Sequence, residues 1–401
     1  MKVLMLADVF FPDTTGGAGR VAYHLSGELC RKGHEVHVVT RNPDGNLPSL
    51  EMMEENLHIH RFSVPPDESL GFILSEIRNS YHLCRQLREK AAFDLACVHQ
   101  SLAAVGPWLS GIMKGVPVIY FYHSPWHEEF LIKNPANAGK TSLRTLCIAS
   151  IMKRVERRTL LRADKTVALS QYMRRKVINH HHYPEKRVNT IPGGIELDRF
   201  RLPDRGKDAV KAQTGMPHDR TVFLTVRNLV PRMGLENLVK AFHRSELLRK
   251  EGLLFIGGRG PLSDQLKKQI SDFHLADSVR LLGHIPDEDL PKFYQAADFF
   301  VLPTQELEGF GLVILEALAS GTPVLGTPVG AIPEVLGAFD QRLLFKGTGW
   351  RTIQEKMEEV IRTPEKYHHD ASSCRAFVEN TYSWEKLADQ FLEEMSDATS
   401  S

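Results

Sequence analysis

The stretch EGFGLVILE, Glu308 to Glu316, constrains this 401-residue chain more than any other. An apolar run, Phe299 to Leu302, ends at Pro303, and the turn Thr304-Gln305-Glu306-Leu307 follows. A helical pattern then runs from Leu312 to Ala319 and stops at Ser320-Gly321-Thr322-Pro323. That order is strand, loop, helix. Gly309 and Gly311 allow close backbone approach to a ligand, and the amides behind them, at the start of a helix, favour an anion. Glu308 stands before that helix and Glu316 more than a turn inside it. A ligand lying over the helix start would meet a carboxylate at each end and amides between them. A nucleotide-sugar has that shape: sugar hydroxyls at Glu308, diphosphate at the amides, ribose at Glu316. The plainer alternative is an α/β turn whose glutamates cap the helix or face water, and one such pair does not separate the two.

The rest of the chain repeats the same local grammar. Lys2 to Ala7 reads as a buried strand, Asp8 to Thr15 as a loop, and Gly16-Gly17-Ala18-Gly19 leads into a helix, Arg20 to Lys32. Glu35 to Thr40 is the next strand, so a parallel sheet opens here. The Gly16-Gly17 pair is a second candidate phosphate cradle. It is not the dinucleotide fingerprint, because its loop is long and the second strand lacks a terminal acid. Strands are expected over Asn56–Phe62, Asp94–His99, Pro117–His123, Thr166–Ser170 and Val188–Pro192, with a helix over Leu70–Lys90. His123 ends its strand, where open α/β sheets bind ligands; a hydrogen-bonded structural histidine is the alternative. Pro203 to Asp219 is polar and irregular, which sets a domain boundary near residue 200. A second array follows, with strands at Val222–Val226, Leu253–Ile256, Val279–Leu282, Phe299–Leu302 and Pro323–Gly326, and a last helix over Glu385–Met395 behind Ser383. The expected division is 1–200, 201–380 and a tail, 381–401.

Charge and cysteine usage narrow the function. A net charge of +1 makes no bulk case for nucleic acid. Five scattered cysteines without a CxxC favour reduced thiols in a cytoplasmic protein over disulfides or a zinc site. The short apolar start reads as a strand and not a signal peptide, and no apolar run reaches the ~18 residues of a membrane span. His180-His181-His182 reads as a solvated loop, since adjacent side chains do not share one face. From Lys140 to Lys176, eleven basic residues stand against Glu156 and Asp164, a net of +9. A helix there could lie on an anionic membrane surface, or could turn its apolar stripe into the core.

With these motifs in this order, the chain resembles the retaining glycosyltransferases of family four, with the GT-B fold. The resemblance spans nearly the whole length. It is carried by GGAGRVAYHLSGELCRKGHEV, YFYHS, ADKTVALS, NTIPGGIELDRF, VRNLVPRMGLENLVKAF, LLFIGGRGPLSDQL, RLLGHIPDEDLPKFYQAAD and EGFGLVILEALASGTPVLGTPVGAIPEVL. It implies two Rossmann-like, doubly wound α/β domains facing across a cleft, with the last helix crossing back to the first domain. It implies that Glu308 contacts the transferred sugar, that backbone at Phe310 and Gly311 holds that sugar, and that amides at Leu312 and Val313 hold the diphosphate. Glu316 would bind the ribose, Gly17 would approach the diphosphate from the other domain, and His123 would face the donor sugar. Gly258, Gly260 and Pro261 would shape a loop beside the nucleotide, and His284-Ile285 would flank the base.

The resemblance further implies transfer with retention to a hydroxyl acceptor (a glycan, a lipid-linked sugar or a small molecule) by front-face attack. Neither a metal nor a cofactor is expected beyond the nucleotide-sugar itself. An epimerase of the same fold and a non-catalytic nucleotide-sugar binder are the alternatives. One departure stands out. Family members commonly carry an arginine and a lysine, five residues apart, that reach the diphosphate; the matching positions here are Asn228 and Met233. Arg227 and Arg232 lie one residue earlier in each case and are both placed at the diphosphate, Arg232 as the favoured replacement and Arg227 as the less favoured because a strand end could turn it to the opposite face. The basic stretch adds an expected contact with the inner face of a membrane.

Overall fold

The computed structural model of the protein describes residues 1–13, 16–42, 45–65, 70–134, 141–367 and 369–399. The chain divides into two compact units: Met1–Gly193 together with Trp384–Ser401, and Gly194–Ser383.

Unit 1 is built on β1 (Lys2–Leu6), β2 (Glu35–Asn42), β3 (Leu50–Glu54), β4 (Leu57–Ser63), β5 (Leu95–Val98), β6 (Val118–Tyr122), β7 (Lys165–Ala168) and β8 (Val188–Thr190). They form one sheet in the order β3-β4-β2-β1-β5-β6-β7-β8. All neighbours are parallel except β3, which runs antiparallel on the edge beside β4. The central strands are buried throughout, as a sheet covered by helices on both faces requires. Strand order reverses between β1 and β5, so the loops after β1, β5 and β6 gather at the carboxyl edge where such sheets take ligands. The helix Trp384–Thr399 belongs to this unit. Phe391 packs on Phe121 of β6 at 5.4 Å, and Trp384 stacks on His24 at 5.4 Å. Lys165 reaches Glu394 and Asp397 at its far end.

Unit 2 carries β9 (Thr221–Val226), β10 (Gly252–Gly257), β11 (Val279–Gly283), β12 (Phe299–Leu302) and β13 (Val324–Gly326), all parallel, in the order β11-β10-β9-β12-β13. Its switch point lies between β9 and β12. Arg227 follows the end of β9 and the loop to Glu308 follows the end of β12, so sequence positions 81 apart leave the sheet side by side.

Several expected boundaries move. The helix expected from Arg20 begins at Gly17, because the glycine pair is followed at once by a run that continues the helical period. Residues expected to be irregular after Pro203 include a helix, Lys207–Thr214, whose Lys211 is drawn in by Asp298 at 2.9 Å. The short edge strand β3 escaped the sequence reading; it is five residues long with Leu50 and Met52 exposed, and only pairing with β4 defines it. Thr14 and Thr15 of the expected first loop, and Lys140 of the basic stretch, lie outside the described residues.

Candidate functional site

The loop between β12 and the helix Leu312–Ala319 is held by unusual backbone. Leu307 takes φ 53°, a left-handed conformation that side chains larger than glycine resist. Gly311, the N-cap of the helix, takes φ 88°. The carbonyl of Glu308 accepts the Ala331 amide at 3.0 Å, and the returning loop passes so close that a Cβ on Gly330 would sit 2.2 Å from that oxygen. Such strain persists only where surrounding contacts over-determine the conformation. Here they aim Glu308 into the mouth of the helix.

Arg227 meets Glu308 there. Its guanidinium donates to Glu308 Oε2 at 2.6 Å, with side chains only 7% and 11% exposed. The same guanidinium lies on the sulfur of Met233 at 2.9 Å. This explains the departure at residues 228 and 233. Asn228 is exposed, whereas Met233 is buried and supports Arg227, where a lysine would repel it. Arg227, the less favoured of the two replacements, is turned by the strand end toward Glu308 and not to the opposite face. Arg232, the favoured replacement, donates to the Leu307 carbonyl at 2.8 Å, while its own carbonyl accepts the Gln305 amide at 2.8 Å. It clamps the strained loop beside the carboxylate.

Glu316 is buried, and Tyr294, fully buried in the preceding helix Leu290–Ala296, donates its hydroxyl to Glu316 Oε2 at 2.7 Å. Phe310 is buried edge-on against Tyr382 at 5.8 Å, and Leu312 and Val313 form the first turn of the helix, half-buried. The loops after β9, β10 and β11 run together: the Arg227 amide donates to the Gly257 carbonyl, Leu229 to Arg259, and Gly258 to Gly283. Gly258 and Gly260 thus pass beside the backbone of Arg227 and Leu229. His284 follows, exposed, and Ile285 is buried against Gly257.

In unit 1, Gly17 is the exposed first residue of its helix. His123 leaves the end of β6 half-buried, and burial pushes its pKa down to about 4. Its Nε2 lies 3.0 Å from Nδ1 of His99 at the end of β5, a ring stacked on Phe121 at 4.5 Å. Burial holds His99 well below the ordinary histidine range, so the pair is neutral and one ring donates to the other. The sequence placed His99 only at a strand end. Its partnership with His123 depends on β5 and β6 being neighbours, as does Tyr294 with Glu316 on helix contact.

The expected solvated loop at His180 to His182 is not found. The helix Gln171–His181 runs through the first two histidines, with His182 as its left-handed cap. His181 is fully buried, 3.1 Å from Glu156, and His180 faces Glu128 at 3.1 Å. Helical spacing sends adjacent side chains in different directions, and each found its own carboxylate. The basic helix, Leu143–Arg162, keeps only Ala149, Glu156, Thr159 and Leu160 buried. Leu143, Leu146, Ile151 and Leu161 stay exposed, so its apolar side is not wholly core.

The pattern of Glycosyltransferase Family 4 matches residues 15–199, and that of Glycosyl transferases group 1 matches residues 206–393. The chain is 27% identical over 337 residues to an alpha-monoglucosyldiacylglycerol synthase of Streptococcus pneumoniae, covering 81% of this chain and 70% of that one. It is 28% identical over 393 residues to a D-inositol 3-phosphate glycosyltransferase of Geodermatophilus obscurus, covering 94% and 84%. Among solved structures, Anabaena HepE in complex with UDP-glucose superposes with a TM-score of 0.73 at 19% identity, over 99% of this chain and 100% of that one. With two parallel-sheet α/β units and a family pattern matched in each, the chain belongs to the family-four-like glycosyltransferases of the GT-B fold.

Proposed function

We propose that the protein transfers a sugar from a nucleoside diphosphate to a hydroxyl acceptor, with retention at the anomeric carbon. The observation that carries the reading is the buried Arg227–Glu308 pair at the start of the Leu312–Ala319 helix, with Glu316 held by Tyr294 further along. Glu308 accepts hydroxyls of the donor sugar, the helix amides and the arginines take the diphosphate, and Glu316 takes the ribose. His123, held by His99, is assigned to the donor sugar as a neutral hydrogen-bonding ring. HepE, solved with UDP-glucose, supports a donor of this class.

The anomeric carbon–oxygen bond breaks with its electron pair staying on the leaving phosphate. The acceptor oxygen bonds to that carbon from the same face, and its proton passes to the departing phosphate oxygen. Negative charge grows on the diphosphate during this step, so fixed cations and helix amides there stabilise the transition state more than the ground state. Arg227 and Arg232 are the cations at hand, and this charge needs no metal to receive it. A thermal-shift screen of UDP-, GDP- and ADP-sugars tests the donor class: a bound donor at 100 times its Kd adds about 2.7 kcal/mol. If none of them stabilises the protein, the reading fails.

The acceptor is assigned to a membrane surface. The Streptococcus relative is named for a diacylglycerol glycolipid, and the Leu143–Arg162 helix presents Leu143, Ile151 and Leu161 among Arg154, Arg158 and Arg162 at its exposed side. Each basic residue near an anionic surface contributes roughly 1 kcal/mol. The protein should sediment with anionic liposomes at low salt; sedimentation no greater than with neutral liposomes would remove this assignment.

A further inference from the structure

Three helices of unit 1 bring His127, Glu156 and His181 to one buried point. His127 lies in the helix Trp126–Lys133, Glu156 in Leu143–Arg162 and His181 in Gln171–His181. All three side chains are buried, and His181 and Glu156 are closed to solvent almost completely. His181 Nε2 lies 3.1 Å from Glu156 Oε2, His127 Nδ1 lies 3.5 Å from the same oxygen, and the ligating atoms all fall within 4.8 Å of one another. Yet among the described residues none of these three atoms has a hydrogen-bond partner. They are close and misaligned, as atoms are when they face a common point and not each other.

We propose that this cluster is a structural zinc site. A zinc ion binds imidazole nitrogen and carboxylate oxygen at about 2.0–2.2 Å in a tetrahedron, which sets ligand atoms roughly 3.4 Å apart. The observed edges of 3.1 and 3.5 Å bracket that value. Glu156 is fixed from behind, since its other oxygen accepts the Trp126 amide at 3.1 Å, the outer-sphere support that orients a ligating carboxylate. The Tyr122 ring stands edge-on to His181 at 6.1 Å, and its hydroxyl is also buried and without a partner among the described residues. The charge argument agrees with the geometry. A carboxylate buried to this degree is costly unless a cation compensates it. A dication leaves the cluster compensated without requiring a buried imidazolium. The ion would tie the three helices together directly behind the loop that carries His123, so its role is to hold that loop and not to meet the substrate.

Untagged protein purified without chelator tests this by elemental analysis, followed by stripping and titration with Zn²⁺ and with Co²⁺. The expected result is about one zinc per chain, a raised melting temperature on reloading, and a visible Co²⁺ spectrum of tetrahedral type. Glu156→Gln and His181→Gln should each lose the bound metal, while His58→Gln, in a separate histidine group on β4, should retain it. If either cluster variant fails to fold, the metal content and Co²⁺ spectrum of the unmodified chain still decide. Protein that holds no zinc and takes up none, the behaviour of a metal-free Glu156–imidazolium pair, overturns the proposal. So does uptake that survives in both cluster variants.

Discussion

Replacing Arg227 by methionine should destabilise unit 2 and stop transfer together. The two side chains of the Arg227–Glu308 pair are 7% and 11% exposed and 2.6 Å apart, so water does little to screen either charge once the other is gone. Removing one partner of a buried pair costs about 3–5 kcal/mol, against 0–1 for a surface pair. The Thr304 hydroxyl also reaches Glu308 Oε2, but at 3.4 Å it is too long to replace a guanidinium. Arg227→Met should therefore lose about 3 kcal/mol or more in urea denaturation, and turnover should fall on the order of a hundredfold because one of the two cations proposed for the diphosphate goes with it. Glu308→Gln, which leaves Arg227 uncompensated, should also destabilise, and should lower turnover about tenfold or more, at least ~1.4 kcal/mol in the barrier. Because each single change leaves the other partner's charge unbalanced and the double change removes both charges, the double variant should be more stable than the sum of the two losses by roughly 1.5 kcal/mol or more. Losses that add to within about 0.5 kcal/mol would show the two groups to be independent. The charge-pair reasoning would then be wrong.

Tyr294→Phe removes the hydroxyl on Glu316 and should weaken nucleoside diphosphate binding by calorimetry about five- to tenfold, some 1 kcal/mol, with Glu316→Ala weaker still. Gly330→Ala forces a Cβ to within 2.2 Å of the Glu308 carbonyl at a φ of 62°; it should lower stability by about 2 kcal/mol and impair turnover, checked by melting and by product release. Arg232→Ala frees the Leu307 carbonyl and should cut turnover about a hundredfold while costing only about 1 kcal/mol of stability. Acid should destabilise the chain in a defined window. His60 and His123 stand near pKa 4 when folded against 6.5 when not, chiefly through burial. Both are neutral in the fold, so between pH 6.5 and 4 the unfolded chain binds more protons. Their contribution, up to ~3 kcal/mol each, is whole above pH 6.5 and lost as pH falls toward 4. Urea midpoints at pH 7 and 4.5 measure it, and His60→Gln should flatten the slope.

Sequence by itself determined most of the elements and their order, though not β3 or the helix Lys207–Thr214. The apolar runs that became β1, β9 and β12 are too short for helices and too apolar for the surface, and Phe299–Leu302 and Leu312–Ala319 stand where the pattern put them. The placement of Glu308 and Glu316 was legible for the same reason: it depends on spacing along one strand, loop and helix. Tertiary structure decided everything that spacing does not carry. Whether Arg227 points at Glu308 depends on β9 and β12 being neighbours at the switch point, and on Met233 filling the space a lysine would contest. His99 became the partner of His123 only because β5 pairs with β6. His180 and His181, polar and contiguous, read as solvent-facing, yet Glu156 from another helix gave His181 a buried partner. A polar side chain goes inside when something distant in the chain compensates it, and that distance is what a local pattern does not contain.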